Sequence, residues 1–231
     1  MALAVDATSH ATAETADDNS ITWAHTVGVG ANKLVALVGN GLGDTVANRQ
    51  VSTMTYNGVA MTEAVDSNAA TWASSSIWYL DSPTADGAPH NIVVTWAATQ
   101  SQKAGVGISF TDAATGVAAV GENTASTANP SLTIVDSQSG DICVSVLFSD
   151  TGPDATTTEG GTLLFEDEDI ESDSDFSAQR QTATGASTVC SWTCSDTANP
   201  WAVCGMAVRA AAGGADAIPQ AWAQYRARRA H

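Results

Sequence analysis

Apolar and polar residues alternate along most of this chain. The alternation is clearest at residues 20–27, 51–56, 92–96, 131–135 and 141–148, where Val, Thr, Ile and Trp dominate. A period of two places one face of a strand in a core and the other in solvent, and these residue types are those that strands favour. The pattern therefore predicts short strands, and no long helix before residue 213.

Turn-forming pairs separate these runs at intervals of about ten residues, as in all-β domains. Asn57-Gly58, flanked by two alternating runs, predicts a tight β-hairpin. We therefore expect about twelve to fourteen strands in an antiparallel β-sandwich, without a sequence repeat of fixed period. The other turn pairs are Asp86-Gly87, Ser139-Gly140, Gly160-Gly161 and Asn199-Pro200.

The end of the chain has a different composition. Gly213-Gly214 predicts a hinge, and Asp216 and Pro219 suit the cap and the first turn of a helix. We expect residues 1–210 to form the sandwich domain, and residues 211–231 to form the hinge and a short, basic helical tail. On that helix, one face would carry Trp222, Tyr225 and Arg229.

The chain is strongly acidic, with a formal net charge of −17 and a pI of about 4.1. Such a field repels nucleic acid and anionic membranes, so neither is an expected partner. The hydrophobic fraction of 44% is too high for a disordered protein, and no apolar run has the length of a membrane span. The N-terminus lacks the features of a signal peptide, which predicts synthesis in a cytoplasm without secretory export.

The sequence contains no recognisable catalytic, nucleotide-binding or metal-binding motif. His25 lies within an alternating run and is interpreted as a structural histidine. The four cysteines are interpreted as buried thiols, although a disulfide between Cys194 and Cys204 across two strands is an open alternative. No catalytic residue and no cofactor are therefore expected.

An acidic run at residues 166–175 holds seven carboxylates. Its alternating oxygens suggest a calcium site formed by Asp167, Asp169, Asp173 and Asp175. It lacks the glycine and the terminal glutamate of an EF-hand loop, so the competing interpretation is a solvated, self-repelling loop.

Seven tryptophans raise the question of a carbohydrate platform. Trp23, Trp96 and Trp192 are in register with apolar neighbours and are expected in the core. Trp72 and Trp78 have serines between them, so this mixed face, together with Tyr79, is the candidate surface for glycan contact.

The tail carries a cluster of basic and aromatic side chains on an acidic chain, and such side chains are enriched in interface hot spots. One interpretation is that the tail folds back on its own domain, and the other is that it docks on a neighbouring subunit or partner. The docking candidates are Trp222, Tyr225, Arg226, Arg228 and Arg229.

Several segments together resemble a known family. The most specific are the hairpin at residues 56–62, with the sequence Tyr-Asn-Gly-Val-Ala-Met-Thr, and the strand at residues 77–80, with the sequence Ile-Trp-Tyr-Leu. The order of strands around them, over residues 1–210, resembles a jelly-roll-like β-sandwich domain of tailed-phage structural proteins that also occurs in some secreted bacterial proteins. The basic tail lies outside this resemblance.

The resemblance implies a non-enzymatic virion structural protein on the particle exterior, as capsid decoration, turret or head fibre, or as a tail appendage. Its implied partners are further copies of itself, forming a homo-oligomer, and other virion proteins such as the major capsid or a neck or tail protein. Contact with host-surface glycans is a secondary expectation. The alternatives are a carbohydrate-binding module and a hydrolase that uses a carboxylate pair.

Overall fold

The computed structural model describes residues 2–13, 18–41, 45–69, 72–100, 102–127, 129–150, 157–170, 174–194 and 199–212. These residues contain seventeen strands and one short helix, α1 (Val46–Arg49). The first half contains β1 (Ala4–Ala13), β2 (Asp18–Thr26), β3 (Ala31–Gly41), β4 (Val51–Tyr56), β5 (Val59–Ala60), β6 (Thr62–Asn68), β7 (Ala73–Asp81), β8 (Pro89–Gln100) and β9 (Gln102–Thr111). The second half contains β10 (Ala119–Ala125), β11 (Ser131–Val135), β12 (Ile142–Asp150), β13 (Thr157–Glu159), β14 (Thr162–Ile170), β15 (Ser174–Thr182), β16 (Ser187–Cys194) and β17 (Trp201–Val208).

The strands form four antiparallel sheets, and the predicted all-β sandwich is confirmed. Sheet I has the order β1-β9-β3-β7-β6, and sheet II has the order β2-β8-β4-β5. Sheet III has the order β10-β17-β12-β15-β14, and sheet IV has the order β11-β16-β13. The strand count exceeds the expected twelve to fourteen partly because short strands such as β5 and β13 have no alternating run of their own.

Three hydrophobic cores join the sheets into four layers. The first core lies between sheets I and III and includes Val35, Ile108, Val146 and Phe176. The second lies between sheets I and II, and the third between sheets III and IV. Sheets I and III are therefore the inner layers, and their central strands are buried on both faces.

The burial of each strand follows from its layer. In β2, on an outer sheet, Ile21, Trp23 and His25 are buried and alternate with exposed residues. In β17, on an inner sheet, every residue is buried. This difference is expected, because a strand covered on one face needs apolar residues only at alternate positions.

The two halves of the chain have the same topology. Sheet I has the order β1-β9-β3-β7-β6, and sheet III has the order β10-β17-β12-β15-β14. Each strand of sheet I therefore has one equivalent at the same place in sheet III. The same correspondence relates β2, β8 and β4 to β11, β16 and β13. The protein is therefore two sandwiches of one topology, β1–β9 and β10–β17. This duplication appears in the strand order, whereas the sequence indicated no repeat of fixed period.

The predicted hairpin at Asn57-Gly58 joins β4 to β5. Asn57 has φ 50° and Gly58 has φ 75°, which is the pair of left-handed conformations that a type I′ turn requires. The turn therefore forms where the sequence predicts it.

Polar contacts surround the connection between the two sandwiches. Asn32 binds the backbone of Ala113 through both its amide oxygen and its amide nitrogen, at 2.9 and 2.7 Å. Ala113 forms a bridge with Ala210, and Arg209 pairs with Asp141 at 3.0 Å. These contacts fix the chain where it passes from the first sandwich to the second.

Sheets I and III approach each other closely at Gly39. A Cβ atom there would lie 2.6 Å from Cδ2 and 2.8 Å from Cβ of Phe148, which is closer than real contacts allow.

No helix among the described residues is long and apolar enough to cross a membrane.

We predict that Gly39→Ala lowers the free energy of unfolding by about 1–3 kcal/mol, because the added methyl group overpacks this interface. Chemical denaturation with a tryptophan fluorescence readout measures the change. Gly185→Ala is the matched control, since a Cβ there meets no atom within 4 Å. Equal stability of the Gly39→Ala and Gly185→Ala proteins would contradict the prediction.

Candidate functional site

A polar cavity of about 190 Å³ lies at the open edge of sheet I. One wall comes from β6 and β7, and the other from α1 and the start of β4. Every lining residue except Val51 is polar or charged: Arg49, Gln50, Glu63, Asp66, Asn68, Ser74, Ser75 and Ser76.

An irregularity in β6 brings the acidic residues of this cavity together. Residues three apart on a regular strand point to opposite faces. The register of β6 shifts between Glu63 and Val65, so that Glu63 pairs with Trp78, and Asp66 pairs with Ser76. Both carboxylates consequently lie on the face that α1 covers.

A hydrogen-bond network fixes the wall behind the cavity. The Ser74 hydroxyl donates to Asn40 Oδ1 at 2.5 Å, and Asn40 Nδ2 donates to Gln100 Oε1 at 3.0 Å. Gln100 Nε2 donates in turn to the carbonyl of Asn48 in α1 at 2.8 Å. Arg49 is buried and donates from a terminal guanidinium nitrogen to the carbonyl of Ala69 at 2.7 Å. The cavity is therefore shaped before any ligand arrives.

The two carboxyl groups of the cavity influence each other. Burial raises the pKa of Glu63, and the neighbouring Asp66 raises it further by charge and by a hydrogen bond. Glu63 therefore holds a proton at higher pH than an ordinary glutamate does.

The second sandwich has a carboxylate pair at the equivalent place. Glu166 pairs with Ser177 across β14 and β15, as Asp66 pairs with Ser76 across β6 and β7. The Ser177 hydroxyl donates to a carboxylate oxygen of Glu159 and accepts the indole N–H of Trp192 at 3.0 Å. Each sandwich thus presents two acidic side chains beside an equivalent serine.

Burial, together with the nearby charges of Glu159, Glu168 and Asp175, raises the pKa of Glu166 from 4.5 to about 7. A hydrogen bond to Glu159 acts in the same direction. Glu166 therefore retains its proton up to about neutral pH.

The acidic run suggested for calcium is not a continuous loop. Asp167 lies on β14 and is half-buried, and Asp175 lies on β15 and is fully buried. Asp169 belongs to β14 although its side chain is outside the description, and Asp173 lies outside the described residues. Within the described part of the chain, no group of three or more acidic, His or Cys side chains is placed to hold a metal ion. The interpretation as a solvated loop is wrong for residues 166–170, which are strand.

The three aromatic residues expected to contact glycans do not share one surface. Trp78 is only 8% exposed in the second core, and its indole N–H donates to the Ser76 hydroxyl at 3.2 Å. Tyr79 points to the opposite face and lies under the Lys33 ammonium, 4.8 Å from the ring centre. Only Trp72 is exposed, at 44%, and its φ of 65° interrupts the alternation before β7 begins.

The expected core tryptophans Trp23, Trp96 and Trp192 are buried, and Trp201 is buried as well. His25 is also buried, and burial lowers its pKa to about 4, so the ring is neutral. Its Nδ1 lies 2.8 Å from the Ser9 hydroxyl, which supports the structural interpretation.

All four cysteines are buried, and Cys204 is a free thiol, so the alternative Cys194–Cys204 disulfide is wrong. Burial raises the pKa of the Cys143 thiol to about 11 and also raises those of Cys190 and Cys204, which makes these thiols poor nucleophiles.

The proposed docking residues of the tail, Trp222, Tyr225, Arg226, Arg228 and Arg229, lie outside the described residues.

The sequence did not reveal the cavity residues Arg49, Glu63, Asp66 and Asn68 or the pair Glu159 and Glu166. A bulge, a buried arginine and pairing across sheets bring them together, and none of these has a local sequence pattern.

Comparison of the chain with protein-family models, with curated proteins and with solved structures gave no match.

We predict that Glu166→Gln stabilises the protein at pH 8 by about 1–2 kcal/mol and has a much smaller effect at pH 5. The folded protein binds the Glu166 proton more tightly than the unfolded chain does. Stability is therefore lost as pH rises from 4.5 to about 7, and the substitution removes that loss. Thermal unfolding at both pH values measures the effect.

Glu122→Gln is the control for this prediction, because Glu122 is an exposed carboxylate on β10. An equal change at pH 5 and pH 8 in Glu166→Gln would show that ionisation of Glu166 is not the cause.

Proposed function

We propose that this protein is a non-enzymatic structural component of a tailed-phage particle, displayed on the particle exterior. The observation that carries the proposal is the fusion of two sandwiches, through their five-stranded sheets, into one four-layer body. Strands buried on both faces make a stiff unit, which suits a component that holds a surface at a fixed distance from its attachment point. The resemblance of residues 1–210 to phage structural domains points in the same direction.

The surface charge suits crowded display. A net charge of −17 makes neighbouring copies repel one another where they do not bind specifically, which limits aggregation. We place the protein first as capsid decoration, turret or head fibre, and second as a tail appendage. Its partners are then further copies of itself and a capsid, neck or tail protein.

The basic tail is the proposed attachment segment. Arg226, Arg228 and Arg229 are three of only eight basic residues in the chain. The described chain ends at the junction of the two sandwiches, where Ala211 N donates to the carbonyl of Asp112 at 2.7 Å. A cationic segment leaving an acidic body binds a second acidic surface by charge and by its aromatic residues.

We predict that purified particles contain this chain at a fixed ratio to the major capsid protein, measured by quantitative mass spectrometry. Hundreds of copies per particle indicate decoration, and a few to tens indicate a turret, fibre or tail part. Particles that lack the chain would refute the structural role.

We also predict that replacing the three tail arginines together by glutamine abolishes assembly, while replacing them by lysine preserves most of it. Charge is retained only in the lysine variant, and the sandwich is unaltered in both. Analytical ultracentrifugation and binding to particles that lack the protein measure assembly. Full assembly of the glutamine variant would overturn docking through the tail.

A further inference from the structure

The outer face of sheet IV is uncharged, although the protein is strongly acidic. In β11 and β16, buried side chains alternate with side chains that point away from the core. Each of these outward side chains belongs to Ser, Thr or Val, whereas the whole chain has 25 acidic and eight basic residues. The outward residues are Ser131, Thr133, Val135, Ser187, Val189, Ser191 and Thr193.

Two exposed valines give this face its apolar surface. Val135 and Val189 are each 58% exposed. Val135 lies opposite Ser187, and Val189 lies opposite Thr133, so the two valines are diagonal neighbours. Diagonal neighbours in an antiparallel pair are about 7–8 Å apart. The valines therefore belong to one small apolar patch with hydroxyl groups around it.

The outer face of sheet II has no such patch along β2. The outward side chains of Thr22, Ala24 and Thr26 are exposed and uncharged, but none is a large hydrophobic one. Val59, an exposed valine of sheet II, lies on the two-residue strand β5 beside the hairpin turn. Sheet IV is therefore the outer layer that gains more from leaving water.

The net charge of the protein favours a second copy as the occupant of this face. At −17, two copies repel each other wherever their acidic surfaces meet. A two-fold contact brings a surface against itself, so an uncharged face is compatible with its own image and an acidic face is not. Asp136 follows Val135 directly after the end of β11 and so lies at the rim of the face.

The body already contains one contact between equivalent sheets. Sheets I and III have the same strand order and pack face to face around a shared hydrophobic core. Two copies that meet through sheet IV repeat this arrangement between molecules and place one sheet IV against the other.

We propose that the outer face of sheet IV is a self-association surface, where two copies pack about a two-fold axis with Val135 and Val189 at the centre. This contact gives a surface to the homo-oligomer of the proposed function. It rests on that function only for the crowding of copies on a particle.

The size of the face indicates a weak contact. Three strands about 4.8 Å apart, with β16 about 26 Å long, give an area of about 400 Å² on each copy. A total of about 800 Å² is below the range of stable complexes, so the contact forms where copies are concentrated. Repulsion between the acidic bodies opposes it further at low salt concentration.

Sedimentation equilibrium of the full-length protein in about 1 M NaCl tests the proposal, because a Debye length of about 3 Å screens both body repulsion and tail docking. We expect a monomer–dimer equilibrium with a dissociation constant of about 0.1–1 mM. We expect it to strengthen as NaCl rises from about 0.15 M. Docking through the basic tail weakens over the same range, so the two contacts are distinguishable.

Val189→Asp and Val59→Asp form a matched pair of variants. Both replace an exposed valine, 58% and 50% exposed, but only Val189 lies on the outer face of sheet IV. We expect Val189→Asp to weaken association at least about 10-fold, because the contact would bury an unpaired carboxylate. We expect Val59→Asp to leave association unchanged. Circular dichroism checks the fold, and Val135→Asp serves as a second variant of the face if Val189→Asp does not fold.

Four outcomes would overturn the proposal. The protein could remain monomeric at about 1 mM in 1 M NaCl, or the face variants could associate as well as the unaltered protein. Equal weakening by Thr22→Asp would show that sheet II of one copy meets sheet IV of the other. Loss of association at this salt concentration when the three tail arginines become glutamine would assign the contact to the tail. Attachment through the tail is judged separately, by binding to particles that lack the protein.

Discussion

The packing of the two five-stranded sheets against each other determines most of the remaining structure. Gly39 leaves room for Phe148, so sheet I and sheet III pack closely against each other around a shared hydrophobic core. Because each of these sheets also carries an outer sheet, its central strands have no solvent-facing side. The acidic side chains of the cavity and of the Glu159–Glu166 pair include Glu63, Asp66 and Glu166 on the edge strands β6 and β14.

The two edges differ in how the same framework is completed. In the second sandwich the Trp192 indole, the Ser177 hydroxyl and the Glu159 carboxylate form a closed chain of hydrogen bonds. In the first sandwich the equivalent serine, Ser76, accepts the indole N–H of Trp78. The helix α1, with Arg49, lies beside the sheet edge there. One topology therefore yields a filled edge in one half and a cavity in the other, through differences at a few side chains.

Sequence period alone predicted the strands, the Asn57-Gly58 turn and the burial of Trp23, Trp96 and Trp192. It did not predict the duplication, because the equivalent residues that persist, such as Gly107 and Gly205 beside the outer sheets, are few and are separated by loops of unequal length. It also missed the cavity, since the bulge in β6 places Glu63 and Asp66 on one face against the period of two. The interpretation of residues 166–175 as a solvated loop failed for a related reason. Their acidic composition is typical of an exposed loop, yet pairing with β15 directs Glu166 inward beside Ser177.

Holding like-charged carboxyl groups together at both edges works against folding, because each pair must retain a proton or accept repulsion. A chain that already carries −17 gains nothing in solubility from such pairs. In the second sandwich the cost is offset by the hydrogen bonds from Trp192 and Ser177, which fix β13 against β15 across two layers. In the first sandwich the equivalent serine, Ser76, accepts the indole N–H of Trp78, so this bond lies within one strand rather than between two layers.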